Sequence, residues 1–185
     1  MARLNVVLLA GCGVLAACAT TSTVATPSTT ASTVATSTTA AAAPCRTESL
    51  RVSLGQGEGA AGHHYVPIVF TNAGPACTIT GFPGVSYYAG ADQHQVGDAA
   101  AREPGAPTAI VLGPDSSAYA WLNQVNVDNY DPAVCQPVAA TGLRVYPPDN
   151  TAFVLLPEPN ARGCTRPMDG QQLTVRAVQG GSSPH

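Results

Sequence analysis

Apolar residues recur at every second position in short runs, and turn-forming residues separate the runs. Leu50, Val52 and Leu54 alternate with Arg51 and Ser53. A period of two puts one set on each face of a half-buried strand. Val66, Ile68, Val69 and Phe70 are β-branched or aromatic, which suits a pleated, buried strand. Asn72-Ala73-Gly74-Pro75 stops it: Asn bonds its own backbone two residues on, Gly permits positive φ, and Pro has no N–H for a ladder. Cys77-Thr78-Ile79-Thr80 resumes extended structure. Gly81-Phe82-Pro83-Gly84 is the next turn, with Pro-Gly suited to the central positions of a type II turn.

The same signals continue to the end. Val85–Tyr88, Ala109–Leu112, Ala118–Leu122, Leu143–Tyr146 and Leu173–Ala177 read as strands, and Phe153–Leu156 pairs across Asp149-Asn150 as a hairpin. The long connection Ala89–Pro107 holds an edge strand near His94-Gln95-Val96. Gly55–Gly62 reads as a glycine-rich loop, without the Lys-Ser/Thr pair and following helix of a phosphate loop. Asp128–Val134 and the surroundings of Cys164 read as loops. No window holds a 3.6-residue apolar period over a helix length. Short strands at roughly 8–12-residue spacing predict an all-β, immunoglobulin-like sandwich of about seven to nine strands.

The first part of the chain departs from this pattern. Residues 1–17 read as an export signal: Arg3, then a run apolar except for Asn5 and too short to cross a bilayer, which takes about 20 residues. Leu15-Ala16-Ala17-Cys18 looks like a bacterial lipobox, so Cys18 is the expected lipidated N-terminus of the mature protein. Leu9-Ala10-Gly11-Cys12 has the same form, but cleavage there leaves an apolar stub shorter than the usual 7–15 residues. From Ala19 to Pro44 only Ala, Thr, Ser, Val and Pro occur. Such a segment buries too little to offset its ordering entropy. Residues 18–44 are therefore expected to be a disordered tether with a root-mean-square reach of roughly 25–31 Å, of a composition that suits O-glycosylation. The folded domain is expected over 45–178, with a flexible tail at 179–185. Together these features predict a monomer exported to the outer face of the cell membrane and held there by its N-terminal lipid.

Composition narrows the partners. One residue in ten is charged, the net charge is −3, and all eight basic residues are Arg. No basic patch can track phosphates, so nucleic acid is not an expected partner. Ser116 and Ser117 lie in a turn without a nucleophile elbow, so no catalytic residues are assigned. His63, His64 and His94 are the residues an envelope enzyme or metal carrier would use. Adjacent residues on a strand point to opposite faces, so His63 and His64 do not chelate together. Copper-carrying lipoproteins of this size use several methionines, whereas the mature chain has Met168 only. No metal or other cofactor is expected. Tyr87, Tyr88, Tyr119, Trp121 and Tyr130 are the candidate binding surface for an envelope or extracellular ligand. Alternation puts Tyr119 and Trp121 on one face and Ala118, Ala120 and Leu122 on the other. A lone Trp in a sandwich points to the core, which would leave the alanine face outside.

Cleavage at Cys18 leaves Cys45, Cys77, Cys135 and Cys164. An even set in an exported chain implies two bridges, in any of three connectivities. A tyrosine-bearing strand, then Phe-Thr-Asn-x-Gly over Phe70–Gly74, then Cys-Thr-x-x-Gly-Phe-Pro-Gly-Val over Cys77–Val85, resembles the actinobacterial exported family known as DUF4232, a domain of unknown function. The resemblance continues through Val111–Ala120, where the family tends to have Leu-x-Pro-Gly-x-x-Ala and this chain has Asp115 in place of the Gly. It continues in Leu143–Pro148, and in Cys164 followed by Leu173-Thr174-Val175, so that it spans Cys45–Val178. It implies a secreted β-sandwich with two disulfides, no established activity and no catalytic residues to transfer. Pairing close in sequence, Cys45 with Cys77 and Cys135 with Cys164, suits two halves of a sandwich and agrees with the cysteine placement that the resemblance implies.

Overall fold

Alternation sets the architecture from the first strand. A computed structural model describes residues 42–182, and among these the chain forms β1 (Leu50–Leu54), β2 (Glu58–Ala60), β3 (His63–Asn72), β4 (Cys77–Ile79), β5 (Gly84–Ala89), β6 (His94–Val96), β7 (Ala101–Arg102) and β8 (Ile110–Leu112). Then come β9 (Ser117–Val125), the short helix α1 (Pro132–Cys135), β10 (Pro137–Ala139), β11 (Gly142–Tyr146), β12 (Val154–Pro157), β13 (Arg162–Cys164), β14 (Leu173–Val175) and β15 (Gln179–Gly180). The fold is nearly all β, as expected. The fifteen strands exceed the expected seven to nine because nine of them are only two or three residues long. A period of two cannot be read over so few positions.

The largest sheet runs β1-β3-β9-β14-β7, with β2 added to β3 and β15 to β9. Its spine is the antiparallel pair β3–β9, in register from His63↔Val125 to Thr71↔Ser117. A four-stranded sheet runs β12-β11-β5-β6, and the ribbons β4–β8 and β10–β13 complete the set. Ile68, Phe70, Ala118, Ala120 and Leu122 on one face of the large sheet share a single core with Val85, Tyr87, Leu143 and Val145 of the smaller one. A second, small cluster gathers Val127, Cys135 and Cys164, with Tyr130 and Met168 packed against it.

This arrangement reverses the expected orientation of β9. Ala118, Ala120 and Leu122 are fully buried, and Trp121 is half-buried on the opposite face. The inner face of β9 is already filled by Ile68 and Phe70 from its neighbour, so small residues there let the layers close. Other expected loops carry structure as well. Residues 58–60 pair with β3, Cys164 lies in β13, and Val127–Asn129 forms a 3-10 turn ahead of α1. That helix follows local chemistry: the Asp131 carboxylate accepts from Ala133 N at 2.8 Å, Pro132 occupies the first turn, and Gln136 closes it in the left-handed region.

Both ends of the domain are pinned. Ala42–Pro44, expected at the end of the tether, lie along Thr78, whose N–H donates to Ala43 O at 2.8 Å and whose hydroxyl donates to Ala42 O. Gln179 and Gly180, expected in the tail, pair with Tyr119 and Ala118. The export signal, Cys12, Cys18 and the rest of the tether lie outside the described residues. The disulfides are Cys45–Cys77 and Cys135–Cys164, with Cα atoms 4.9 and 4.8 Å apart. Asp115, where the resemblance leads one to expect Gly, has φ 58°. It adopts the left-handed conformation that glycine takes freely and that Asp tolerates better than most side chains, and its carboxylate meets Arg51 on the surface at 2.9 Å.

Candidate functional site

The five aromatic residues singled out in the sequence do not form one surface. Tyr87 and Tyr88 are 3% and 6% exposed; residues on both faces of β5 are buried from Val85 to Ala89. Tyr130 packs on the second disulfide cluster. Only Tyr119 and Trp121 share a face, edge to face at 6.3 Å on the outer side of the large sheet. Tyr65 and His63 stand on that side too, stacked at 6.0 Å, and Asn123 Oδ1 meets His63 Nδ1 at 2.9 Å.

The histidines diverge. His63 shares its face with Tyr65 and His64 points to the inner face, as adjacent strand positions must. His94 bonds Asp92 at 2.8 Å on an exposed turn. Among the described residues, no three His, Cys, Asp or Glu side chains stand together in a way that could hold a metal ion.

The inner face of the large sheet opens at the start of β3 and the end of β9. There a cavity of about 420 Å³ lies between His64 and Gln124 on one side and Tyr87, Glu158 and the segment up to Arg162 on the other. Gln124 is 5% exposed and stands opposite His64 in the ladder. Its Nε2 donates to both carboxylate oxygens of Glu158, at 2.9 and 2.8 Å. An ionised carboxylate only accepts, so the amide can face one way only. Gln124 Oε1 then meets His64 Nδ1 at 2.9 Å, and that nitrogen must carry the proton. A chain of donors thus runs from His64 through Gln124 to Glu158. Gly57 packs against the imidazole: a Cβ there would stand 2.3 Å from His64 Nε2.

Burial pushes the Glu158 carboxyl above the usual range for glutamate, against the opposing hydrogen bond from Gln124 and the nearby His64. Burial lifts the Tyr87 phenol well above its ordinary value, and the charge of Glu158 adds to this. Tyr87 therefore keeps a protonated hydroxyl, which bonds no described residue, and the side chain lines the open cavity; among the described residues the buried side-chain polar atom left without a partner is Arg144 Nε. At the mouth, Arg162 pairs with Asp128, and Asn126 Oδ1 accepts from Asp128 N at 3.1 Å.

Three of these groups were legible in the chain, and His64 and Tyr87 are among the candidates that the sequence singles out. Gln124 continues the inward series Ala118, Ala120, Leu122, and His64 continues Phe70, Ile68, Val66. A polar residue at an inward position is the signal that marks Gln124. Glu158 follows β12 and belongs to no periodic run, so nothing local marks it.

The raised Glu158 carboxyl has a testable consequence. Between the ordinary glutamate value and the raised one, the folded protein keeps a proton that the unfolded chain has lost. Stability therefore falls as pH rises through that window and is fully retained below it. Glu158→Gln should melt higher than the wild type above the window and converge with it on the acid side. Thermal melts across the carboxylate range measure this; parallel curves at every pH would rule the cause out.

Neither a curated protein nor a solved structure matches the chain. Residues 45–179 match the family described as Domain of unknown function (DUF4232), and the chain, with its two disulfides and its nearly all-β domain over the same residues, belongs to that family.

Proposed function

We propose that this is a lipid-anchored protein of the outer face of the cell membrane, whose β domain is a non-catalytic binding module. The observation that carries the binding reading is the end cavity. Glu158, Gln124 and His64 are ordered there by mutual hydrogen bonds, beside Tyr87, whose hydroxyl bonds no described residue. Groups held in one orientation before a ligand arrives lose little entropy when it binds. The divergence of His63 from His64, and the engagement of His94 with Asp92, favour this over metal carriage.

The anchor rests on Leu15-Ala16-Ala17-Cys18 and on the composition between Cys18 and the first pinned residues at Ala42. Acyl chains supply about 0.8 kcal/mol per buried CH₂, and two or more hold a protein firmly. Cys18→Ala should leave the domain folded and either release it to the medium or stall its processing. Membrane fractionation with an N-terminal cleavage assay checks this. If Cys18→Ala still sediments with membranes after normal cleavage while Cys12→Ala does not, the anchor is Cys12.

A further inference from the structure

We propose that the cavity bounded by His64, Tyr87, Gln124 and Glu158 is a binding site for a small protonated amine, which its ammonium group anchors on Glu158. The proposal rests on the reading of the domain as a binding module and names the ligand class for that module.

Charge decides the class. Of the two carboxylates lining the cavity, Asp128 is already matched by Arg162. Glu158 is not: its direct hydrogen bonds come from the neutral amide of Gln124, and among the described residues no arginine pairs with it. A half-buried carboxylate with only a neutral donor is under-compensated, and burial already disfavours its charge. An ammonium group supplies the missing charge together with three donors. One N–H of Gln124, shared between both oxygens, does not exhaust a carboxylate, which has about four acceptor sites, so room remains for the ligand.

The second observation is independent of charge. Tyr87 is buried, lines the cavity, and bonds no described residue through its hydroxyl. A hydroxyl that is both donor and acceptor suits a ligand carrying a polar substituent beside its amine. The cavity, at about 420 Å³, falls within the range of small-molecule sites, about 300–1,000 Å³.

The groups around Glu158 also predict how binding varies with pH. His64 reaches it from β3 through Gln124 on β9, Tyr87 faces it from β5, and Asp128 and Arg162 offset each other at the mouth. Affinity for an amine should therefore rise as pH rises through the titration of Glu158 and level off above it.

The test is a titration of the full chain, followed by calorimetry and by the side-chain NMR signals of His64 and Tyr87. The probes are ethanolamine and D-glucosamine, each against its neutral counterpart, ethylene glycol and N-acetyl-D-glucosamine. The amines should shift both signals and bind at least about tenfold more tightly than their counterparts, as a charge-assisted hydrogen bond of roughly 1.5–3 kcal/mol requires. Glu158→Gln should lose that margin. Tyr87→Phe, which keeps the ring in the core, should weaken binding several-fold without changing the preference for amines. Equal binding of the neutral probes, with the same two signals moving, would overturn the amine class and leave the binding module standing. No movement by any of the four probes would overturn the amine site and the cavity as a binding site together.

Discussion

Removing either disulfide as a pair of alanines should lower the unfolding free energy by about 3–4 kcal/mol, with the loss spread differently in the two cases. The bridges join residues 32 and 29 apart, and closing loops of that length removes nearly equal chain entropy from the unfolded state. Their surroundings are unequal. Cys45 and Cys77 belong to the main core with Phe70 and Leu112. Cys45 also hydrogen-bonds Thr78 O through its N–H at 2.9 Å, so this bridge fastens the start of the domain to β4. Cys45→Ala with Cys77→Ala should lower the global midpoint in denaturant without changing which region opens first. Cys135 and Cys164 sit in the small cluster with Val127, Tyr130 and Met168, which buries too little apolar surface to hold α1 against β13 unaided. Their removal should expose amides of residues 127–140 to hydrogen exchange while the β3–β9 spine stays protected. Because Asp128 and Arg162 at the cavity mouth flank this cluster, ligand binding should weaken in the second variant more than in the first. Uniform loss of protection in both variants would show that the small cluster is not a separate unit.

That contrast also explains what the chain reveals about itself. β-Branched and aromatic composition identifies β3, and periodicity identifies β1 and β9, where at least five residues alternate between two faces. It assigns their residues to two faces correctly but does not say which face is inside. For β9 the volume of its neighbours decides: Phe70 and Ile68 occupy the inner space, so the alanines go in and Trp121 goes out. Elements such as β7 and β15 depend on partners distant in sequence, β2 folds back on the neighbouring β3, and in all three two or three residues carry no period to read. The candidate site divides in the same way. His64 and Gln124 lie on alternating strands and were open to inference, whereas Glu158 is brought to them by tertiary packing. Of the aromatic residues, Tyr87 lines the cavity while Tyr88 is buried away from it, because polar-edged rings serve cores as readily as surfaces when both faces of their strand are covered.

The turn after β3 was the most legible feature, and it carries the other large expected effect. Asn72 is fully buried, and its side chain works at both ends. Its Oδ1 accepts from Gly74 N at 2.9 Å, the bond to its own backbone two residues on that its place in the sequence implies. Its Nδ2 donates to Pro75 O at 2.8 Å and to Leu112 O at 3.0 Å, which ties the β3–β4 turn to the end of β8. The backbone repeats the connection, because Asn72 N donates to Ser116 O and Asp115 N donates to Asn72 O. Asn72→Ala would strip a donor from two carbonyls and an acceptor from one N–H. Each buried orphan costs about 1–3 kcal/mol, so the substitution should lower stability by roughly 3–4 kcal/mol, allowing for water at the exposed end of the turn. Asn72→Asp separates the two ends. It keeps the acceptor for Gly74 and places a second acceptor against two carbonyls, so at neutral pH it should be at least as damaging as Ala. Protonation would give that carboxyl one donor, and the Asp variant should therefore recover part of its loss on acidification while the Ala variant does not. Denaturant unfolding at neutral and acid pH tests both statements. An Ala variant within about 1 kcal/mol of the wild type would mean that water satisfies these groups and that the side chain does not hold the two turns together.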